Sequence, residues 1–273
     1  MRPKFRAHVP SRFHMLFLVL CVLTVGATAL RALSLFLFFD ADIGYFHQGD
    51  DTVLKLYIME GICLALCFAT PFLLKTEKVP QKEDKLSPVG MIGTVLCALA
   101  FVAAALFLLF RYDLVPAPTA LVLLAVAFSL LAAVYFALRL TPPSETAVWF
   151  GYCAILAAAT LLAITYFDRY TPMNAPHKIS LHVCMLCTML ALLLEQRALL
   201  DRALPRVRVG VTYFAFFLCT AVGVSNVSAF LGGILDSHLY FFVDLTVLAL
   251  AVYFGAQSVK LTFHAPKESE VEA

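Results

Sequence analysis

An all-α, polytopic membrane protein with about eight transmembrane helices is the fold class this sequence predicts. Three observations predict it. The chain is 62% hydrophobic and only 14% charged, against about 45–50% and about 25% in soluble domains. Its apolar residues fall in eight separate runs, each about 20 residues or longer, the length that spans a bilayer. Period-2 alternation is absent, so the runs are helices rather than strands. No stretch is long and polar enough to fold as a separate soluble domain, so residues 1–273 read as a single integral membrane domain.

The spans cover approximately residues 15–39, 53–74, 89–110, 119–138, 147–167, 178–199, 210–232 and 239–259, with a short cytoplasmic tail at 261–273. The first follows a basic stretch and holds Ala27-x-Ala29, a pattern shared with cleavable signals. Its apolar run continues to Phe39, which makes it an uncleaved span. The second contains Pro71, near its end; the other prolines sit in tails and connections, where a missing N–H is harmless. Mid-span Gly/Pro breaks, which mark ion sites in many transporters, are weak here. Spans three to five lack interior charge and carry Ala100-x-x-x-Ala104 and Ala154-x-x-x-Ala158, small faces that let helices approach closely in lipid.

All eight cysteines fall within apolar runs, which argues against a disulfide framework. Cys184-x-x-Cys187 has metal-ligand spacing, but its apolar flanks disfavour thiolate, so these are packing residues.

Lys and Arg set the orientation. With the N-terminus inside, fifteen fall in cytoplasmic segments, Arg139 among them, and three in outer segments. That bias places both termini in the cytoplasm of a cell membrane. A repeat also shows. "FRYDLVPAP" (Phe110 to Pro118) lies over "DRYTPMNAP" (Asp168 to Pro176) at an offset of 58, pairing Gly93 with Gly151 and Arg139 with Arg197. This register reads either as a tandem two-helix duplication or as chance reinforced by the Arg and Pro that mark helix ends.

Charges inside spans are expensive and mark functional candidates. Arg31, Glu60 and Asp244 all fall roughly 8–12 Å below the outer surface at about 1.5 Å per residue, a depth and a set of signs that suit pairing. Thr24, Thr28, Arg31 and Ser34 share one helix face, as do Tyr57, Glu60, Cys63 and Cys67. Asn226 and His182 lie in the same outer half. The substrate-binding candidates are therefore Arg31, Glu60, Asp244, Asn226, His182 and Tyr57. Lys178 snorkels to the interface, and the inner halves offer only Glu195. Asn226-Val-Ser228 fits a glycosylation sequon but lies within the membrane.

The first external connection, "DADIGYFHQGDD", gathers Asp40, Asp42, Asp50 and Asp51. These are oxygen ligands of the kind Ca²⁺ or Mg²⁺ takes, yet the calcium-loop spacing is not met. Outer loops are poor in Lys and Arg, which leaves acids over-represented. The first reading is a solvent-facing tip, with Tyr45 and Phe46 packing at the interface and Gly44 and Gly49 permitting the return. Together with "NAPHKI" and "LLLEQR", this loop resembles segments of uncharacterised bacterial multi-pass membrane proteins, a resemblance that implies no activity.

No nucleotide-binding, hydrolase, metalloprotease or kinase signature is present, no cofactor is implied, and a net charge of +2 gives no reason to invoke nucleic acid. The sequence reads as a non-enzymatic transporter-like or permease-like protein with an outer-half polar pocket for a small polar or anionic ligand. The alternative is a structural or accessory subunit bound to a membrane-protein partner, in which the intramembrane charges only lock helices.

Overall fold

A computed structural model describes residues 12–40, 43–46, 51–73, 86–141, 144–200, 202 and 204–263. Among these are eight helices long and apolar enough to cross a membrane. They are α1 (Arg12–Phe38), α2 (Asp51–Leu73), α3 (Pro88–Phe110), α4 (Thr119–Leu138), α5 (Glu145–Phe167), α6 (Pro176–Leu199), α7 (Pro205–Leu231) and α8 (His238–Phe263).

The helices start where local chemistry lets them. Pro88, Pro176 and Pro205 occupy the first turns of α3, α6 and α7, where the missing N–H would be unpaired in any case. Ser87 Oγ accepts from Gly90 N at 3.1 Å and Ser144 Oγ from Ala147 N at 3.3 Å, capping α3 and α5. The sequence predicts later starts for α6 and α7. Hydropathy reads "PRVRV" as loop, whereas a proline at the first turn opens the helix before the apolar run begins.

Between α1 and α2 the chain forms a small antiparallel hairpin, β1 (Phe39–Asp40) with β2 (Tyr45–Phe46). Gly44 adopts φ +74°, a conformation that costs an L-residue about 1–2 kcal/mol. The hairpin end of the molecule also holds the α3–α4, α5–α6 and α7–α8 connections; α1 begins and α8 ends at the opposite, termini end.

Six helices close on themselves, each packing on the next in the circuit α3–α4–α5–α6–α7–α8–α3, while α1 and α2 pack on each other and on α7. Phe101, Phe136, Leu161, Leu181, Leu250 and Tyr253 are buried in the core of the circuit. A second cluster, including Phe17, Leu20, Cys67, Tyr213 and Phe217, joins α1 and α2 to α7. The outward faces of α1 and α2 remain apolar, with Val22, Val25, Leu54 and Ile58 each more than half exposed. That is the surface lipid covers.

Helix α8 is gripped from two sides. A Cβ on Gly93 would lie 2.9 Å from Tyr253 Cα, and one on Gly223 would lie 2.8 Å from Leu248 N. The backbones of α3 and α7 therefore approach α8 as closely as helices can, and only glycine fits at either contact.

The positions aligned by the internal register occupy unlike surroundings. Gly93 faces the α8 backbone, while Gly151 faces the Gln196 side chain of α6. Arg139 is buried and Arg197 exposed.

Candidate functional site

At the hairpin end a cavity of about 250 Å³ opens among the β1–β2, α5–α6 and α7–α8 connections, with Phe39, Thr171, His177, Asp236, Ser237 and Tyr240 in its lining. The hairpin is tied over it. Tyr45 Oη donates to Asn174 Oδ1, and Gly44 sits close against Pro172. Within the hairpin, Asp40 closes the turn, its carbonyl accepting from Gly44 N at 2.8 Å and its Oδ1 from Ile43 N at 3.3 Å. Tyr45 and Phe46 thus contact Asn174 and Phe39.

The "DRYTPMNAP" connection is organised by Lys178. Its ammonium is fully buried and donates to the carbonyls of Asp168 (2.8 Å) and Thr171 (3.2 Å). The ammonium thus reaches back to two main-chain acceptors of the α5–α6 connection rather than to a side chain within the bundle. Asp168 Oδ1 in turn accepts from Tyr170 N at 3.0 Å. Next to Lys178, the His177 ring packs edge-on against Phe39 and Tyr240. Its Nδ1 is buried without a hydrogen-bond partner.

Within electrostatic range of His177 lies Arg31 of α1, 2% exposed. Its Nη1 meets Glu60 Oε1 of α2 at 3.5 Å, the outer limit of a hydrogen bond. Its Nε and Nη2 are buried and have no partner. Across the α7–α8 contact, Asn226 Nδ2 donates to Asp244 Oδ1 at 3.0 Å, leaving Asn226 Oδ1 without a partner. Arg31 is also within electrostatic range of Asp244. Ser225 Oγ donates to Thr28 O at 3.2 Å and holds α7 on α1 close to Arg31. The neighbouring hydroxyls of Thr24, Thr28 and Ser34 each donate back to the carbonyl four residues earlier, as an apolar surround requires.

Four of the six predicted site residues thus form two direct pairs in electrostatic range of each other. Tyr57 stands half-exposed on α2, within electrostatic range of Glu60 and Arg31. His182 is held elsewhere, its Nε2 3.2 Å from Thr165 Oγ1 and its ring beside Tyr166 of α5. Of the acidic loop residues, Asp51 is exposed at the start of α2, and Asp42 and Asp50 lie outside the described residues. Among the described residues no three His, Cys, Asp or Glu side chains gather as a metal site would require. Cys184 turns toward α7, its Sγ 3.5 Å from that of Cys219.

The termini end holds a cluster that sequence reasoning missed. Arg139 Nε lies 3.0 Å from Glu195 Oε1 with both side chains buried. Tyr135 Oη donates to the same oxygen at 2.9 Å, and Tyr253 Oη donates to it as well. Gln196 Nε2 donates to Tyr135 Oη at 2.9 Å. Glu195 is therefore not alone at the termini end, and Arg139 is a buried charge rather than a solvated one. A signal was available: Tyr135 on α4 with Arg139 at its C-cap, and Tyr253 with Gln257 on α8, are each polar at i, i+4, the spacing of one helix face. Comparison with known families, curated proteins and solved structures gave no match to this chain.

Proposed function

We propose that this chain is a transporter-like or permease-like protein of the cell membrane. In this reading both termini are cytoplasmic, and the hairpin-end cavity admits a small polar ligand toward Arg31. The reading is one of binding and passage, not of catalysis. The observation that carries it is Arg31 itself: a guanidinium 2% exposed, with two N–H-bearing nitrogens unpartnered. A buried charge that lacks partners is costly. A ligand polar group, entering by way of the cavity that His177 lines, would supply them.

A second reading is a structural or accessory subunit. It is favoured by the two ion pairs, Arg31–Glu60 joining α1 to α2 and Arg139–Glu195 joining the end of α4 to α6. Such pairs can specify packing without any ligand.

Access separates the two. With Asn226→Cys, and Ser237→Cys at the cavity lining as a positive control, a water-soluble charged thiol reagent is applied from the hairpin side. Modification of both positions supports the pocket. Modification of Ser237→Cys alone leaves a dry cluster and the packing reading.

A further inference from the structure

The pattern of satisfied and unsatisfied atoms around Arg31 also specifies a ligand class. Resting on the pocket reading above, we infer that the site takes a small zwitterion, an oxyanion and an ammonium on one compact frame, of which a free neutral α-amino acid is the simplest. Arg31 spends only Nη1 on Glu60. The atoms left without partners, Nε and Nη2, are the two nitrogens of one edge of the guanidinium. Their N–H bonds run side by side, and that edge matches the two oxygens of a carboxylate or phosphate in a bidentate contact.

The rest of the cluster asks for the opposite partner. Asn226 donates to Asp244 and leaves its own Oδ1 unpartnered and buried. An acceptor beside a carboxylate is a place for a donor, and a cationic donor above all. Glu60 already faces the Arg31 guanidinium, so a bare anion would add uncompensated negative charge in a low-dielectric setting. A zwitterion adds no net charge, placing its oxyanion on the Arg31 edge and its ammonium toward Asp244 and Asn226. Lys178 and Asp168, one of each sign, do not alter this balance, and the Lys178 ammonium is already held by two carbonyls.

A zwitterionic lipid headgroup presents the same chemistry, so the test distinguishes the sources. The full chain is placed in phosphatidylcholine nanodiscs and titrated with glycine, L-alanine and L-serine, and with the single-charge analogues propionate and n-propylamine and inorganic phosphate. At least one amino acid is expected to bind, with both analogues and phosphate about 10- to 100-fold weaker, the scale of losing a charge-assisted contact. Arg31→Lys keeps the charge and the Glu60 pair but has no bidentate edge. It is expected to fold, by its unliganded thermal transition, and to bind the amino acid more weakly by a similar factor. Propionate or phosphate binding as tightly as the amino acid, no amino acid binding at millimolar concentration, or Arg31→Lys binding like the parent would each overturn the assignment. Abolition of binding in phosphatidylethanolamine nanodiscs would overturn it in favour of the headgroup. Any of these outcomes with Asn226→Cys still modified leaves the polar pocket standing, whereas an unmodified Asn226→Cys removes the pocket itself.

Discussion

Arg139 and Glu195, 56 positions apart in the chain, form a buried ion pair at 3.0 Å. Two tyrosines complete it, Tyr135 from α4 and Tyr253 from α8, both donating to the carboxylate oxygen that Arg139 faces. The pair thus joins three helices of the six-helix circuit at the termini end.

Removing one member of a buried pair strands the other charge and costs about 3–5 kcal/mol. Arg139→Met or Glu195→Met alone is expected to lower stability by that order in denaturant titration of the purified protein. The double substitution replaces both charges by apolar groups of similar length and should recover most of the loss. Independent, additive losses would show that the two side chains do not depend on each other.

At the other end, Arg31→Leu should destabilise by about 3 kcal/mol, the low end of the range, because the Glu60 side chain is 27% exposed. Adding Glu60→Leu should restore more than adding Asp244→Leu, since Glu60 touches Arg31 while Asp244 is held by Asn226. A larger rescue by Asp244→Leu would make Asp244 the true partner.

Gly93→Ala and Gly223→Ala each insert a methyl against the α8 backbone. Overpacking of this kind costs about 1–3 kcal/mol, and it cannot be relieved by a side-chain rotation. Both variants should melt at lower temperature. Gly61→Ala, which would meet nothing within 4 Å, should not. Equal melting of all three would mean that α8 is not held this closely.

Topology has a direct check. Met173 in the α5–α6 connection and Leu200 after α6 are both exposed and lie at opposite ends of α6. Cysteines placed at these two positions should react with an impermeant reagent from opposite sides of the membrane, Met173→Cys from outside the cell. Reaction from one side only would break the eight-span threading, and reversed sides would invert the proposed orientation.

What could be read in advance follows from the solvent. A bilayer core offers no hydrogen bonds, so any segment crossing it must be helical, apolar and about 20 residues long. Those demands act on each segment alone, which is why eight helices were legible one by one. That Arg31 and Glu60 fall at one level, and so can touch, was legible for the same reason, because level is residue count times helical rise. The Gly44 turn, too, is local chemistry.

Partner choice was not legible, because it depends on which helices become neighbours. Arg139 follows the last residue of α4 and looks, on composition, like any basic residue at a membrane boundary. It is buried because the circuit brings α6 and α8 beside it with Glu195 and Tyr253 at its level. The two carbonyls that hold Lys178 come from the α5–α6 connection, which no count along α6 could supply. Arg31 pairs with Glu60, and Asp244 with Asn226, because α1 lies against α2 while α7 and α8 lie against each other. Hydropathy sets how deep a charge sits; only the packing of helix on helix sets what it faces.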